Sequence, residues 1–228
     1  MNRLKFDKCR FIAMVLFMLV MVGGWTGAPV GSAAESTIDT IIAGVESRYN
    51  VAGFTADFEQ ESILTAMGVT DTASGRLLVR QPGKMRWEYL VPDPQTIITD
   101  GKELWVYRPE ENQVLVGKAP ALFGEGRGAG FLSNIKMVRQ SFQLTLEPNE
   151  DTAHHHLRLV PHQPSPDLVA VDLIIDVKTY QLLRITTFNI YGDETRIELK
   201  NVNFSDPPPD ALFHFDLPEG VELLQMSR

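Results

Sequence analysis

The sequence predicts a mainly β fold of the α+β kind, an antiparallel meander preceded by a single helix. Three observations carry this. Beyond residue 53, short segments rich in β-branched and aromatic side chains alternate with Gly, Pro, Asn and Asp clusters, which is strand and turn chemistry. The connections "TDGK" at 99, "PEEN" at 109, "DVKT" at 176 and "YGDE" at 191 are hairpin-like and too short to hold a crossover helix, so consecutive strands should pair antiparallel. Helical periodicity is clear in one place only, ahead of the first strand. With 228 residues, 44% hydrophobic and 22% charged, the chain is long enough for one globular domain with a sizeable core.

The amino terminus is set apart from that domain. "MNRLKFDKCR" carries Arg3, Lys5, Lys8 and Arg10, the apolar run "FIAMVLFMLVMV" spans the 12 residues from Phe11 to Val22, and small residues follow in "GSAAES". This is the pattern of a secretory signal peptide, with cleavage expected after Ala33 or Ala34 and a run shorter than the roughly 18 to 20 residues a membrane span needs. An uncleaved anchor is the other reading of the same residues. The expected organisation is a signal peptide over 1–34 and one domain over 35–228.

Cleavage would remove Cys9, the only cysteine, leaving an exported domain with no disulfide. Because Cys9 precedes the apolar run, it does not occupy the position of a lipidated cysteine. Losing the four leader cations and Asp7 moves the net charge from −8 to −11. Such an acidic domain is a poor partner for nucleic acid, which is bound through clustered Lys and Arg.

Taken in order, the mature chain begins with a helix that Ser36 or Thr37 can cap. Ile38, Ile41, Ile42, Val45 and Tyr49 recur at helical spacing on one face. Strands are predicted over 54–64, 74–81, 84–90, 95–99, 103–108, 113–118, 142–148, 155–161, 168–177, 182–191, 195–204 and 212–216. Between the sixth and seventh lies "APALFGEGRGAGFLSNIKMVR" (119–139), a glycine-rich flap with two short apolar pieces holding Leu122 and Phe123 and then Phe131 and Leu132.

Catalytic and cofactor signatures fail on spacing. After Gly124 and Gly126 the third glycine of a dinucleotide fingerprint would fall at Ala129, and no strand-to-helix crossover surrounds it. No G-x-S-x-G or H-E-x-x-H occurs, and Gly101-Lys102 lacks the rest of a P-loop. In "HHH" at 154–156, a strand would send His154 and His156 to one face and His155 to the other, so surface histidines are expected rather than a metal centre. "SDPPPD" at 205–210 reads as a rigid polyproline-like spacer. The expectation is a protein that is not an enzyme and needs no cofactor.

Three stretches carry a family resemblance: "FTADFEQ" (54–60), "RQPGKMRWEYLVPDPQTIITDGKELWVYRPEENQV" (80–114) and "FSDPPPDALFHFDLPEGVEL" (204–223). The chain resembles the LolA family, periplasmic carriers of outer-membrane lipoproteins. The resemblance implies a strongly curved antiparallel sheet of about 11 strands, an unclosed β-barrel, covered by an α-helical lid that encloses a hydrophobic cavity. Wall residues expected from it are Phe54, Phe58, Leu78, Met85, Trp87 and Trp105 on the first strands. Leu144, Leu173, Ile175, Ile185 and Phe188 are expected on the later ones. The lid would carry Ile38, Ile41, Ile42, Val45, Leu122, Phe123, Phe131 and Leu132.

Further expectations come with the resemblance. An inner-membrane lipoprotein-releasing ABC transporter would load acylated lipoproteins into the monomeric carrier, and an outer-membrane receptor or acceptor membrane would take them. Three acyl chains in water would cost on the order of tens of kcal/mol at roughly 0.8 kcal/mol per CH₂, so transit demands a dry container. In the family an arginine directly before the proline of the second stretch holds the lid closed through lid carbonyls. Here Gln81 stands at that place. A neutral amide can still donate, more weakly than a guanidinium. Arg80 is adjacent but should face the other way, and Lys84 and Arg86 should lie on the outer face, Arg86 near carboxylates such as Glu88. The flap and "LPEGVELL" are the expected docking surfaces. Other readings on the same fold are a membrane-anchored receptor of the LolB kind, a periplasmic lipid-binding sensor, a carrier of another amphiphile such as a glycolipid, and a lipid esterase. The missing lipidated cysteine, the absence of a second domain and the absence of a paired nucleophile and base speak against the first, the second and the last.

Overall fold

The computed structural model describes residues 30–119, 132, 135–148 and 150–226. Helix α1 (Val30–Tyr49) leads into β1 (Gly53–Leu64), β2 (Val69–Arg80), β3 (Lys84–Val91), β4 (Gln95–Thr99), β5 (Glu103–Arg108) and β6 (Gln113–Lys118). A 3-10 turn (Ile135–Met137) and the single-turn helix α2 (Val138–Ser141) precede β7 (Phe142–Leu146), β8 (His154–Pro161), β9 (Ala170–Asp176), β10 (Leu182–Phe188) and β11 (Glu194–Asn203). After a second 3-10 turn (Asp210–Phe213), β12 (Glu222–Gln225) ends the sheet.

All 12 strands form one sheet in the order β12-β6-β5-β4-β3-β2-β1-β11-β10-β9-β8-β7. Two meanders, β1 to β6 and β7 to β11, are joined by antiparallel pairing of β1 with β11. The outermost strands, β12 and β7, do not pair with each other, so the curved sheet stays unclosed. Register shifts between Thr55 and Asp57, Ser74 and Gly75, and Leu182 and Arg184 sit near the middle of the sheet, where bulges sharpen its bend. The predicted turns close as their chemistry requires, with Gly101, Asn112, Tyr180 and Gly192 at positive φ.

Two expectations about the ends are corrected. The helix starts at Val30, so Ser36 and Thr37 lie within it rather than capping it. Residues 212–216 are not a strand; the chain after β11 crosses the outer face of the sheet, and the twelfth strand is formed by residues 222–225, parallel to β6. Pro209, at φ −62° and ψ 146°, holds the extended polyproline conformation that carries this crossing. Phe213 is inserted as its anchor, at 1% exposure, and Phe215 lies 6.2 Å from the Trp105 ring and 5.8 Å from that of Tyr107.

The core lies on the inner face, under α1. Ile41, Ile42, Val45 and Tyr49 pack into one cluster with side chains from both meanders, and Ile38 flanks it. The helix's apolar stripe and the alternate residues of the strands thus satisfy one another's burial. Tyr49 adds a directional contact, its buried hydroxyl accepting the Leu182 backbone N–H at 3.1 Å, and burial raises its ionisation well above the usual phenol range. Gly44 permits a second close approach, because a Cβ there would fall 2.4 Å from the Tyr180 ring.

Candidate functional site

Register decides which of the expected wall residues share the inner face. Phe54 and Phe58 pair across to Val79 and Gly75, Val79 to Met85 and Leu77 to Trp87, so Phe54, Phe58, Met85 and Trp87 point toward α1. On the other meander Ile185 pairs with Leu173, and Leu182 with Ile175; Leu173, Ile175 and Ile185 are all buried in the same cluster, with Leu144 packed at its margin. The structure therefore brings eight of the eleven expected wall residues together beneath the helix.

Leu78, Trp105 and Phe188 are corrected to the outer face. Leu78 pairs with Thr55 and Arg86, one residue out of phase with the inner Leu77 and Val79. Trp105 pairs with Ile98 and lies beside Phe215 of the carboxyl-terminal crossing, whereas Leu104 and Val106 take the inner positions. Phe188 pairs with Glu194 and lies under the Arg158 guanidinium at 5.3 Å. Leu78 and Trp105 are misassigned because both faces of β2 to β5 are apolar, the outer one being covered by residues 205–216, whereas Phe188, three residues from the inner Ile185, is sent outward by alternation itself. The inner residues the sequence reading missed, Leu77, Val79, Leu157, Leu159, Ile197 and Leu199, were legible as alternation partners of those it found.

Of the expected lid residues, Ile38, Ile41, Ile42 and Val45 lie on the inward face of α1, and Leu132 is fully buried in the same cluster. Leu122, Phe123 and Phe131 lie outside the described residues. Two sets of polar contacts fix these pieces. Gln81, directly after β2, donates its amide Nε2–H to the Leu132 carbonyl at 3.2 Å. Arg139 of α2 reaches α1, with Nη1 on the Asp39 carboxylate, Nη2 donating to the Asp39 carbonyl at 2.9 Å and Nε to Glu46 at 3.2 Å.

The neighbouring cations face the opposite way. Arg80 donates to the Pro208 carbonyl at 2.8 Å and pairs with Asp210 at 3.3 Å; Lys84 meets the same carboxylate at 2.6 Å. Arg86 holds Glu88 of its own strand at 2.6 Å and donates to the Leu212 carbonyl at 3.3 Å. The Lys84 hydrogen bond keeps the Asp210 carboxyl below its ordinary range. These cations strap the carboxyl-terminal segment across the sheet.

Polarity on the inner face is graded. Along β3, Met85 and Trp87 are buried, while Tyr89 is half-buried and donates its hydroxyl to Gln60 at 3.0 Å, Gln60 in turn donating to Ser62 at 3.1 Å. Burial pushes Tyr89 up to about 12. On the outer face, a cleft of about 500 Å³ is lined by the ion-paired Glu61, Arg196, Arg184 and Glu198. His154 and His156 face outward beside Asp151 and Asp172, and His155 faces inward onto Tyr180, its ring 6.5 Å away.

The described residues thus form an open half-barrel whose apolar inner face is covered by α1, with Gln81 tied to the Leu132 carbonyl by a neutral hydrogen bond. The family model described as "Outer membrane lipoprotein carrier protein LolA" matches residues 49–216. The chain belongs to this family, one of carriers that make and break no covalent bond. It is 30% identical over 207 residues to an outer-membrane lipoprotein carrier protein of Bordetella pertussis, spanning 90% of this chain and 93% of that one. It is also 28% identical over 197 residues to the protein of the same description from Chromobacterium violaceum, spanning 86% and 90%. Among solved structures, an uncharacterized conserved protein from Thermus thermophilus shares the fold with a TM-score of 0.55 at 15% identity, covering 83% of this chain and 99% of that one. No described helix is long and apolar enough to cross a membrane.

Proposed function

We propose that this chain is exported to the periplasm by a cleaved leader, accepts acylated lipoproteins from an inner-membrane ABC transporter, shields their acyl chains on its inner face and surrenders them at the outer membrane. The observation that carries the reading is the joint placement of Gln81 and α1. The apolar inner surface is occupied by Ile41, Ile42, Val45 and Tyr49, and residue 132 is held to the strand end by one uncharged hydrogen bond. Acyl chains take the place of the helix's apolar face, so the surface α1 loses on opening is regained by cargo, and release returns the helix to its seat. The net affinity is the difference between two large burial terms, which keeps it modest and the handover reversible. Family membership and the 30% identity to a named lipoprotein carrier support the cargo class.

The experiment is release of [³H]palmitate-labelled lipoproteins from spheroplasts into the medium by the purified mature chain. Soluble, intact lipoprotein associated with the protein is the expected product. Free fatty acid, or no label above buffer, would overturn the reading.

A further inference from the structure

We propose that the indole N–H of Trp87 is the hydrogen-bond donor for the acyl ester carbonyl of a bound lipidated cargo, an inference that rests on the carrier reading above. Among the described residues, Trp87 Nε1 is the only fully buried side-chain nitrogen or oxygen without a hydrogen-bond partner. A buried tryptophan ordinarily finds an acceptor, because the N–H gives up its water on burial whether or not it is compensated. The packing around it is otherwise well formed. Phe58 presents its ring to Trp87 at 4.9 Å and 71° and to Tyr89 at 5.0 Å and 76°, and the residue is 4% exposed. An unsatisfied donor in such a setting marks a position suited to an acceptor that the chain's own side chains and backbone do not supply.

The position on the sheet identifies that group. Successive inner-face residues of β3 are about 7 Å apart along the strand. Met85, fully buried beside Val79, lies on one side of Trp87; Tyr89, bonded to Gln60 and through it to Ser62, lies on the other. The inner surface therefore runs from purely apolar, through a single neutral donor, to a polar cluster. An acylated amphiphile has the same sequence of groups: hydrocarbon, then uncharged ester carbonyls that only accept, then a polar head. Laid along β3 with its chains toward Met85 and Phe54, it brings an ester carbonyl alongside Trp87. An ionic ligand is disfavoured, since among the described residues the buried polar side chains are Thr99 and Thr186 and none is charged. The free N–H also biases the switch, because the closed state leaves it unsatisfied and the loaded state does not.

The test uses the mature chain with two synthetic dihexadecanoyl-type lipopeptides that differ only in linkage, one diester and one dialkyl ether. Expected for the wild type is about five- to tenfold tighter binding of the diester, the worth of one neutral hydrogen bond, and loss of that preference in Trp87→Phe, which keeps an aromatic ring and removes the donor. An ¹⁵N-indole resonance of Trp87 that moves downfield with the diester and not with the ether, read in the unaltered protein, supplies the same answer independently of any folding defect in the variant. Equal affinity of the wild type for the two linkages, or an indole shift common to both, overturns the inference and leaves the carrier reading standing. Failure of the wild type to bind either lipopeptide overturns both.

Discussion

Gln81 reaches across 51 residues of sequence to donate its side-chain amide to the Leu132 carbonyl at 3.2 Å, while its neighbour Arg80 is turned to the outer face and held by Pro208 and Asp210. The adjacent side chains serve different ends of the molecule because successive residues of a strand project to opposite faces.

Replacing Gln81 should therefore shift the balance between covered and open states, and replacing Arg80 should not. Gln81→Ala removes about 1 kcal/mol from the covered state and should tighten lipopeptide binding roughly fivefold. Gln81→Arg, with a charge-assisted donor, should weaken binding by a similar factor. Titration of a fluorescent lipopeptide into each protein decides the matter, and a change confined to Arg80→Ala would place the latch on the wrong residue.

Arg139 makes the cover a unit by bridging Asp39 and Glu46 of α1. Its side chain is 33% exposed, so each pair is worth only the roughly 0.2 to 1 kcal/mol of a solvent-screened bridge. Arg139→Met should speed amide exchange of α1 and of residues 135–141 together, severalfold, with β8 and β9 unchanged. Exchange that quickens across the whole sheet would contradict this.

Gly44 is a helix-interior glycine whose replacement should go against the usual trend. Gly→Ala in a helix ordinarily stabilises by about 1 kcal/mol. Here the new methyl meets the Tyr180 ring at 2.4 Å, and overpacking of this kind costs about 1 to 3 kcal/mol. Gly44→Ala should lower the melting temperature; Gly44→Ala combined with Tyr180→Ala should recover part of the loss.

His155 supplies a pH dependence. Burial lowers its pKa below the ordinary 6.5, so the unfolded chain takes up its proton first as pH falls. The neutral ring contributes stability that is present above 6.5 and is lost as pH drops through the lowered value. Its neighbours set the comparison: Tyr180 faces it, and His154 and His156 lie on the other face with Asp151 and Asp172. Between about pH 7 and 5, His155→Phe should lose less stability in urea titrations than the wild type. Equal losses would show that His155 does not carry the effect.

Asp210 behaves oppositely in cause and alike in sign. The Lys84 hydrogen bond, then the charges of Lys84 and Arg80, lower its pKa, so the strap is intact above the ordinary carboxyl value of 3.8 and is lost as pH falls through the depressed one. Asp210→Asn at neutral pH should reproduce that release, seen as faster proteolysis within residues 205–216 and unchanged cutting elsewhere.

The sequence by itself determined the antiparallel meander, the turn positions and the inward stripe of α1. Those follow from local chemistry: positive φ at Gly101 and Gly192, period-two alternation in the strands, and apolar spacing from Ile38 to Tyr49. That Gln81 stands where the family has an arginine came instead from the resemblance, by counting from Trp87 back to Pro82. What only the tertiary structure decided is which of two apolar faces is the inner one at Leu78 and Trp105. Alternation fixes that neighbours differ, but when a distant segment such as 205–216 buries the second face, no local pattern says which set meets the helix. The unpaired N–H of Trp87 has the same origin. A donor's satisfaction depends on acceptors brought from other strands, and their arrangement exists only once the sheet has curved around it.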